Sequence, residues 1–562
     1  MSVLSRIIGT AARLPRPSST EVAVERDLQT KMPDGAVLLA DRWYPSQTTS
    51  LPPTVLLRSP YGRRQLGLLG RLFAERGYQA VIQSCRGTFG SGGEWLPMRN
   101  EPADGAATLE WIAAQPWFDG RLVTFGPSYL GITQWAVAES PPDLLKAMAL
   151  NVTASGIRDA IIYPGDAFAL ETALTWMFQV DNQEGGALHV LRTMARARKV
   201  VTDACMRLPL GQCDRLLVGR SERFYQDWLA HEAAGDEWWD VLDFKRREAV
   251  PAATLVGGWY DLFLSGQVKD FVELRRAGRT VRLTVGPWTH ASLGAMGVVL
   301  RDALEFFDEQ LNGARPRRGR VRLYVMGTDR WEEYDEWPPP ADAQPWYLGS
   351  GGTLSRHEPP GGGARPSTYR YDPADPTPAA GGASLLGASA GPKDQSPRES
   401  RRDVLTYTSG VMTEDMKVIG PLTVTLHVRS TLEHTDFMVR LCDVDEKGKS
   451  VNLSDGLVRV GPGVAAGIGP ASAPPDAGPV TRSADGTLRL QISMWPTANT
   501  FKKGHRVRLQ VSSGAHPLFA RNPGTGEPLA TASTLRAADQ EIWHDDAHPS
   551  CVTLPVVLLS KG

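Results

Sequence analysis

Three stretches of the sequence carry residues able to act together on a carbonyl carbon. They are Gly126-Pro127-Ser128-Tyr129-Leu130-Gly131, Gly257-Gly258-Trp259-Tyr260-Asp261 and Gly286-Pro287-Trp288-Thr289-His290. A serine hydroxyl is a weak nucleophile until a base takes its proton, and a histidine serves as that base when a carboxylate fixes its tautomer. Residues 121–137 read as a short apolar strand, a Gly-flanked turn and a helix, with Ser128 at the apex. A turn of that kind frees the hydroxyl, and the N–H of Tyr129, at the helix start, faces any oxyanion formed beside it. The general elbow pattern Gly-x-Ser-x-Gly asks for glycine at 130, whereas this chain has Leu130 followed by Gly131. Taken alone, the stretch reads equally well as a tight turn whose serine caps the helix.

The supporting elements decide between these readings. Thr54 to Leu57 and Ala80 to Ile82 are short apolar runs without alternation, as in parallel strands buried on both faces. Leu66, Leu69, Leu72 and Phe73 recur at helical spacing between them, and Ala106, Leu109 and Ile112 mark a second helix. The run Ala147 to Leu150 follows the elbow, and after a helical stretch the pattern resumes with Ala253 to Val256 and Val281 to Val285. A helix then places Leu300, Leu304, Phe307 and Leu311 on one face before Gly313. Strands alternating with helices predict an α/β sheet. Asp261 and His290 each fall just past a strand of it, at the edge where Ser128 is expected, in the chain order Ser, Asp, His used by α/β hydrolases. An isolated Asp after a strand is more often a helix cap and an isolated His a surface residue, but three placements agreeing with one mechanism favour catalysis.

The rest of the chain adds boundaries. Residues 1–20 read as a loosely packed leader, and Glu21 to Trp43 as a β-hairpin turning at Met32-Pro33-Asp34-Gly35. The expected organisation is a first hydrolase part over 21–155, a helical cap insertion over 156–248, a second hydrolase part over 249–340, and an all-β jelly-roll sandwich over 346–562. The last rests on alternation through Leu422 to Val428 and Leu488 to Met494, with Arg506 to Val511 and Val552 to Leu559 as further strands. The glycines of 349–352 and 361–363 read as turns rather than a phosphate loop, because no strand-to-helix context surrounds them.

With 61 basic against 62 acidic residues the net charge is −1, which gives no electrostatic reason to expect nucleic acid or an anionic membrane as partner. A small-molecule substrate is the plainer expectation, with a homodimer as one open assembly. The five cysteines form no Cys-x-x-Cys pair, and no histidine has a trusted metal-ligand spacing, so neither a metal nor an organic cofactor is expected. The N-terminal residues build no secretory apolar core, and a soluble, cytoplasmic protein is the expectation.

The three site stretches, together with Arg58-Ser59-Pro60-Tyr61-Gly62, Arg86-Gly87-Thr88-Phe89-Gly90-Ser91-Gly92-Gly93-Glu94 and Tyr371-Asp372-Pro373-Ala374-Asp375-Pro376, resemble the CocE/NonD hydrolases. That family is related to the X-Pro dipeptidyl-peptidases of the S15 type. The likeness runs from about residue 22 to the C-terminus, and the family pattern Gly-x-Ser-Tyr-x-Gly accounts for the shifted glycine. The resemblance implies an α/β-hydrolase domain, a helical cap, a jelly-roll and cleavage of carboxylic esters, or amides, through an acyl-enzyme. It makes Ser128 the nucleophile, His290 the base, Asp261 its orienting acid, and the Tyr61 hydroxyl with the Tyr129 N–H the oxyanion hole. Phe263 and Trp176 match aromatics of the family's acyl pocket. One departure is Ser84, where relatives commonly have Asp. The runner-up activities are those of a dipeptidyl-peptidase or an α-amino acid ester hydrolase, whose substrate ammonium needs carboxylates. Here Asp261 is followed by Leu262-Phe263-Leu264, which leaves Asp159, Asp166 and Glu171 of the cap as candidates. A catalytically dead binding protein is the remote rival.

Overall fold

The strand that presents Ser128 lies inside a ten-stranded sheet. The computed structural model describes residues 3–48, 50–139, 144–244, 248–359, 365–387, 389–462 and 481–557. A short helix, α1 (Val3–Ala11), stands where the sequence predicts only an irregular leader. Its buried Ser5 hydroxyl bonds Glu75 Oε1 at 2.8 Å, and this tertiary anchor is invisible to local pattern. The hairpin β1 (Val22–Lys31) and β2 (Val37–Pro45) follows as expected, turning through residues 32–36.

Next come β3 (Thr54–Ser59), α2 (Gly67–Ala74), β4 (Gln79–Ser84), α3 (Glu101–Ala113), β5 (Leu122–Pro127), α4 (Tyr129–Trp135) and β6 (Leu145–Asn151). After the cap come β7 (Ala252–Tyr260), α9 (Leu264–Arg276), β8 (Val281–Thr289), α10 (Leu293–Asn312), β9 (Val321–Val325) and β10 (Arg330–Tyr334). The sheet order is β1-β2-β4-β3-β5-β6-β7-β8-β9-β10, with parallel pairing from β4 through to β9. Every residue of β3 and β4 is buried, as the unalternating apolar runs predict. On one face Leu72 and Phe73 of α2 and Leu300, Leu304 and Phe307 of α10 pack against Val55, Ile82 and Phe125. On the other, Leu109 and Ile112 of α3 and Val268 and Phe271 of α9 pack against Leu56, Val81 and Leu255. Gly313, at φ 68°, ends α10 where predicted.

The cap fills the connection from β6 to β7 with α5 (Leu170–Asp181), α6 (Ala187–Cys205), α7 (Cys213–Val218) and α8 (Arg223–Ala230). Its aromatic core includes Trp176, Phe224, Trp228 and Trp239. The C-terminal jelly-roll enters its own sheet at Asp342, four positions before the expected start. Its longest pairing joins Met416–Ser430 to Leu488–Phe501. The glycine-rich stretch 349–352 forms a turn, whereas 361–363 lies outside the described residues. The expected strand over 552–559 is seen as Cys551–Val556, with 558 and 559 also outside. Among the described residues no helix is long and apolar enough to cross a membrane.

Between β5 and α4 the chain reverses through Ser128, which takes φ 57° and ψ −125°. Its N–H is held by the Asn151 carbonyl of β6 at 3.0 Å. The helix must then leave the sheet at very short range, and Gly131 is where it crosses the chain after β6. A Cβ at 131 would lie 2.4–2.6 Å from the side-chain atoms of Thr153. This contact explains why glycine stands at 131 and leucine is accepted at 130. Gly131→Ala is therefore expected to destabilise the protein by about 2 kcal/mol through overpacking, and Thr153→Gly added to it should recover part of the loss. Chemical denaturation checks both, and a Gly131→Ala variant as stable as the parent would rule out the close crossing.

Candidate active site

The carboxyl ends of β3, β5, β7 and β8 lie along one edge of the parallel sheet, with β6 between β5 and β7, and each of the four delivers one polar group. Ser128 leaves β5, Asp261 follows β7 directly, and His290 follows β8. The structure brings all three together. His290 Nε2 lies 3.0 Å from Ser128 Oγ, and His290 Nδ1 lies 2.7 Å from Asp261 Oδ2. Asp261 is fully buried, so its attraction to the imidazole is little screened by water. Its second oxygen, Oδ1, accepts the backbone N–H of Phe263 at 2.8 Å, which stops the carboxylate from rotating. With Nδ1 held as a donor to that carboxylate, Nε2 is the acceptor nitrogen facing Ser128. The Phe263 ring packs beside the imidazole, with centroids 5.6 Å apart.

Tyr61 stands on the loop after β3, with its N–H bonded to Ser59 Oγ at 3.0 Å. Burial pushes its phenol up to about 12, an effect partly offset by hydrogen bonds with Trp176 and Ser128. The phenol is thus neutral and able to donate a hydrogen bond beside Ser128. Trp176 Nε1 donates to the Tyr61 oxygen at 3.1 Å, occupying one of its lone pairs. Tyr129 opens α4, so its N–H has no acceptor within the helix and the positive helix end faces the same point. Trp176 also stacks on Tyr129 and on Trp228, with centroids 6.0 Å apart in both pairs, and meets Trp95 edge-on at 5.7 Å. The result is an aromatic wall beside the nucleophile. All seven residues predicted from the sequence therefore converge on one place.

The sequence reading missed the polar support beneath this wall. The Tyr129 hydroxyl donates to Glu101 Oε1 at 2.8 Å and accepts from the Met98 N–H at 2.8 Å and Trp95 Nε1 at 3.3 Å. Glu101 is ion-paired with Arg58 at 2.9 Å, and both side chains are buried. Burial, and then the Glu101 charge, drive the Tyr129 phenol well above its usual range. Trp95 lies directly after the glycine-rich 86–94 stretch and was available as a signal, whereas Glu101 reads as an ordinary acidic residue in a helix's first turn. At the departure noted above, the buried Ser84 hydroxyl accepts from the Arg63 backbone N–H and from its guanidinium, both at 3.3 Å. The Arg63 charge is met instead by Asp41, at 3.2 Å, and by Asp27. The local hydrogen bonding is thus rebuilt away from the triad.

The three cap carboxylates are already engaged. Asp159 and Asp166 both pair with Arg158, at 2.7 and 2.9 Å. Glu171 accepts from Ser384 Oγ at 2.6 Å and the Leu386 N–H at 2.9 Å, and burial raises its carboxyl above the usual range. Among the described residues, no three His, Cys, Asp or Glu side chains gather as a metal-ligand set.

Comparison with known proteins gives the family. Residues 34–292 match the X-Pro dipeptidyl-peptidase (S15) family, and residues 312–553 match the X-Pro dipeptidyl-peptidase C-terminal non-catalytic domain. The chain is 32% identical to the cocaine esterase of Rhodococcus sp. (strain MB1 Bresler), over 95% of its own length and 99% of the relative's. In fold it is similar to an aminopeptidase from a marine sediment Thaumarchaeota archaeon, with a TM-score of 0.79 and 23% identity over 97% of this chain and 98% of that one. An α-amino acid ester hydrolase superposes equally well, with a TM-score of 0.79 and 22% identity over the same shares of the two chains. The chain belongs to the CocE/NonD serine ester hydrolases, within the wider S15 dipeptidyl-peptidase group.

Proposed function

We propose that this hydrolase cleaves small carboxylic esters with apolar acyl groups through a covalent acyl-enzyme. The observation that carries the reading is the unbroken relay from Asp261 through His290 to Ser128, at 2.7 and 3.0 Å. His290 takes the Ser128 proton as Oγ attacks the ester carbonyl, and the Tyr61 hydroxyl and Tyr129 N–H receive the oxyanion. The imidazolium then returns its proton to the departing alkoxide. Water attacks the acyl-serine by the same base, releasing the carboxylic acid and restoring Ser128.

The acyl side of the site is framed by Trp176, Phe263 and Trp95, surfaces that suit an apolar or aromatic acid. The similarity to a cocaine esterase supports an ester substrate. An aminoacyl or dipeptidyl substrate would bring an ammonium group, and the engagement of Asp159, Asp166 and Glu171 disfavours it. A panel of p-nitrophenyl esters, aminoacyl esters and Xaa-Pro anilides should accordingly give its highest kcat/KM on aromatic or apolar acyl esters. The five cysteines are unpaired, which fits a reducing compartment, and we assign the protein to the cytoplasm.

Triad members act as a unit, so Ser128→Ala, His290→Ala and Asp261→Asn should each lower kcat about 10⁴-fold or more, with the Ser128→Ala/His290→Ala double variant hardly worse than either single one. Losses that multiply in the double variant would contradict a shared mechanism. Tyr61→Phe removes a hydrogen bond that strengthens as charge develops on oxygen, and is expected to cost about a hundredfold in kcat with little change in KM. A raised KM with kcat intact would make Tyr61 a wall of the pocket instead. Because burial holds the phenol up at about 12, its ionisation should cause no fall in kcat between pH 8 and 10. A loss over that range that disappears in Tyr61→Phe, with the fold intact by circular dichroism, would show a titrating phenol and refute the neutral donor.

A further inference from the structure

The donor Tyr61 belongs to the hydrolase domain, where its phenol meets Ser128, yet the cap also reaches it at two points. Its peptide bond to Pro60 is held from both sides: the N–H donates to Ser59 Oγ at 3.0 Å, and the Pro60 carbonyl accepts Gln183 Nε2 at 3.0 Å. The far end of the side chain is held by Trp176 Nε1, at 3.1 Å from the phenol oxygen. Of these three attachments, only Ser59 lies in the same domain as Tyr61. Trp176 sits within α5, and Gln183 follows its last turn, seven positions and about two helical turns further on. The next residue, Glu184, accepts the Phe89 N–H at 2.8 Å through Oε1, adding a hold on the neighbouring loop. The amide orientation of Gln183 follows from chemistry, because a carbonyl can only accept and the atom facing Pro60 must be the NH₂ group. The loop itself is permissive: Gly62, directly after the donor, takes φ 88°.

Resting on the assignment of Tyr61 as oxyanion donor, we propose that Gln183, acting with the indole N–H of Trp176, is a positioning residue for that donor, so that the oxyanion hole is complete only when the end of α5 is seated on the loop after β3. Gln183 does not touch the substrate; it sets where the Tyr61 backbone begins. Trp176 fills an acceptor position of the phenol and leaves the O–H to point at the nucleophile, and a hydroxyl that accepts one hydrogen bond is polarised into a better donor. A donor displaced by a fraction of an ångström loses more in the transition state than in the ground state, because the charge it serves is full only there. The signature is therefore in kcat and not in KM.

The test is a steady-state comparison on one aryl ester, in the parental and Tyr61→Phe backgrounds. Gln183→Ala is expected to lower kcat about tenfold with KM within about twofold. Gln183→Glu, nearly isosteric but unable to donate to Pro60, serves as the second variant should the alanine protein fold poorly. Unchanged thermal midpoints and stoichiometric fluorophosphonate labelling of Ser128 certify the fold. In the Tyr61→Phe background the Gln183 substitutions should cost less than about twofold, because the group they position is gone. An equal tenfold loss in both backgrounds would show that Gln183 acts through something other than Tyr61 and overturn the inference. If Tyr61→Phe is damaging but every Gln183 variant keeps the parental kcat, the inference falls while the donor assignment stands. If Tyr61→Phe itself leaves kcat intact, both fall together.

Discussion

The site depends first on one backbone conformation. Ser128 is not glycine, yet it takes φ 57° and ψ −125°, a sparsely populated region that costs on the order of 1–3 kcal/mol. The surroundings leave the chain no cheaper path. β5 is enclosed by β3 and β6, the Ser128 N–H is bonded to Asn151, and α4 must leave at once through the narrow gap beside Thr153. That same reversal puts the hydroxyl ahead of the sheet edge and turns the first N–H of α4 toward the same side, where the proposed mechanism needs it. Exposure of the proposed nucleophile and half of the proposed oxyanion hole thus follow from one geometric fact, made possible by glycine at 131.

The other groups arrive by sheet topology and are held by neighbours outside the sheet. Parallel strands place all their carboxyl ends on one edge, so residues as distant in sequence as Tyr61 and His290 become neighbours without any long excursion of the chain. The jelly-roll contributes at several points. Tyr260, just before the acid, bonds the Asn452 carbonyl at 3.2 Å, and Gly391 comes so close to the His290 loop that a Cβ there would stand 3.3 Å from Thr289. Glu171 fastens the start of α5 to Ser384 and Leu386, so the helix that carries Trp176 is tied to the jelly-roll at one end and to the oxyanion loop at the other. The non-catalytic domain therefore braces the cap and both loops that carry the base and its acid.

What the sequence made legible was whatever local chemistry enforces. Apolar runs without alternation marked β3, β4 and β8, the spacing of Leu300, Leu304 and Phe307 marked α10, and the order Ser, Asp, His selected 128, 261 and 290. Tyr61, Trp176 and Phe263 came from resemblance, because nothing in a lone aromatic's neighbours says which way it points. Helix α1 escaped because its anchors, Glu75 and the carbonyl-bonding Arg301, lie far away in sequence. Gln183 gave no signal at all. It is a polar residue just past a helix end, and only the folded chain shows its amide on the Pro60 carbonyl.

The buried pair of Arg58 and Glu101 shows the same separation between pattern and purpose. Taking two charges out of water is expensive, and such a pair is weak grounds for extra stability. Its placement instead accounts for an orientation. Glu101 accepts the Tyr129 hydroxyl, whose oxygen also receives Met98 and Trp95, so the side chain directly after the nucleophile is fixed at its far end by three hydrogen bonds. The backbone N–H of that same residue is the second donor of the proposed oxyanion hole. Arg58, on the strand that leads to Tyr61, pairs with Glu101 at 2.9 Å and holds it in place. One ion pair thus joins the strand leading to Tyr61 with the side chain of Tyr129, and ties the two halves of the proposed oxyanion hole to each other from below, while α5 reaches the phenol from above.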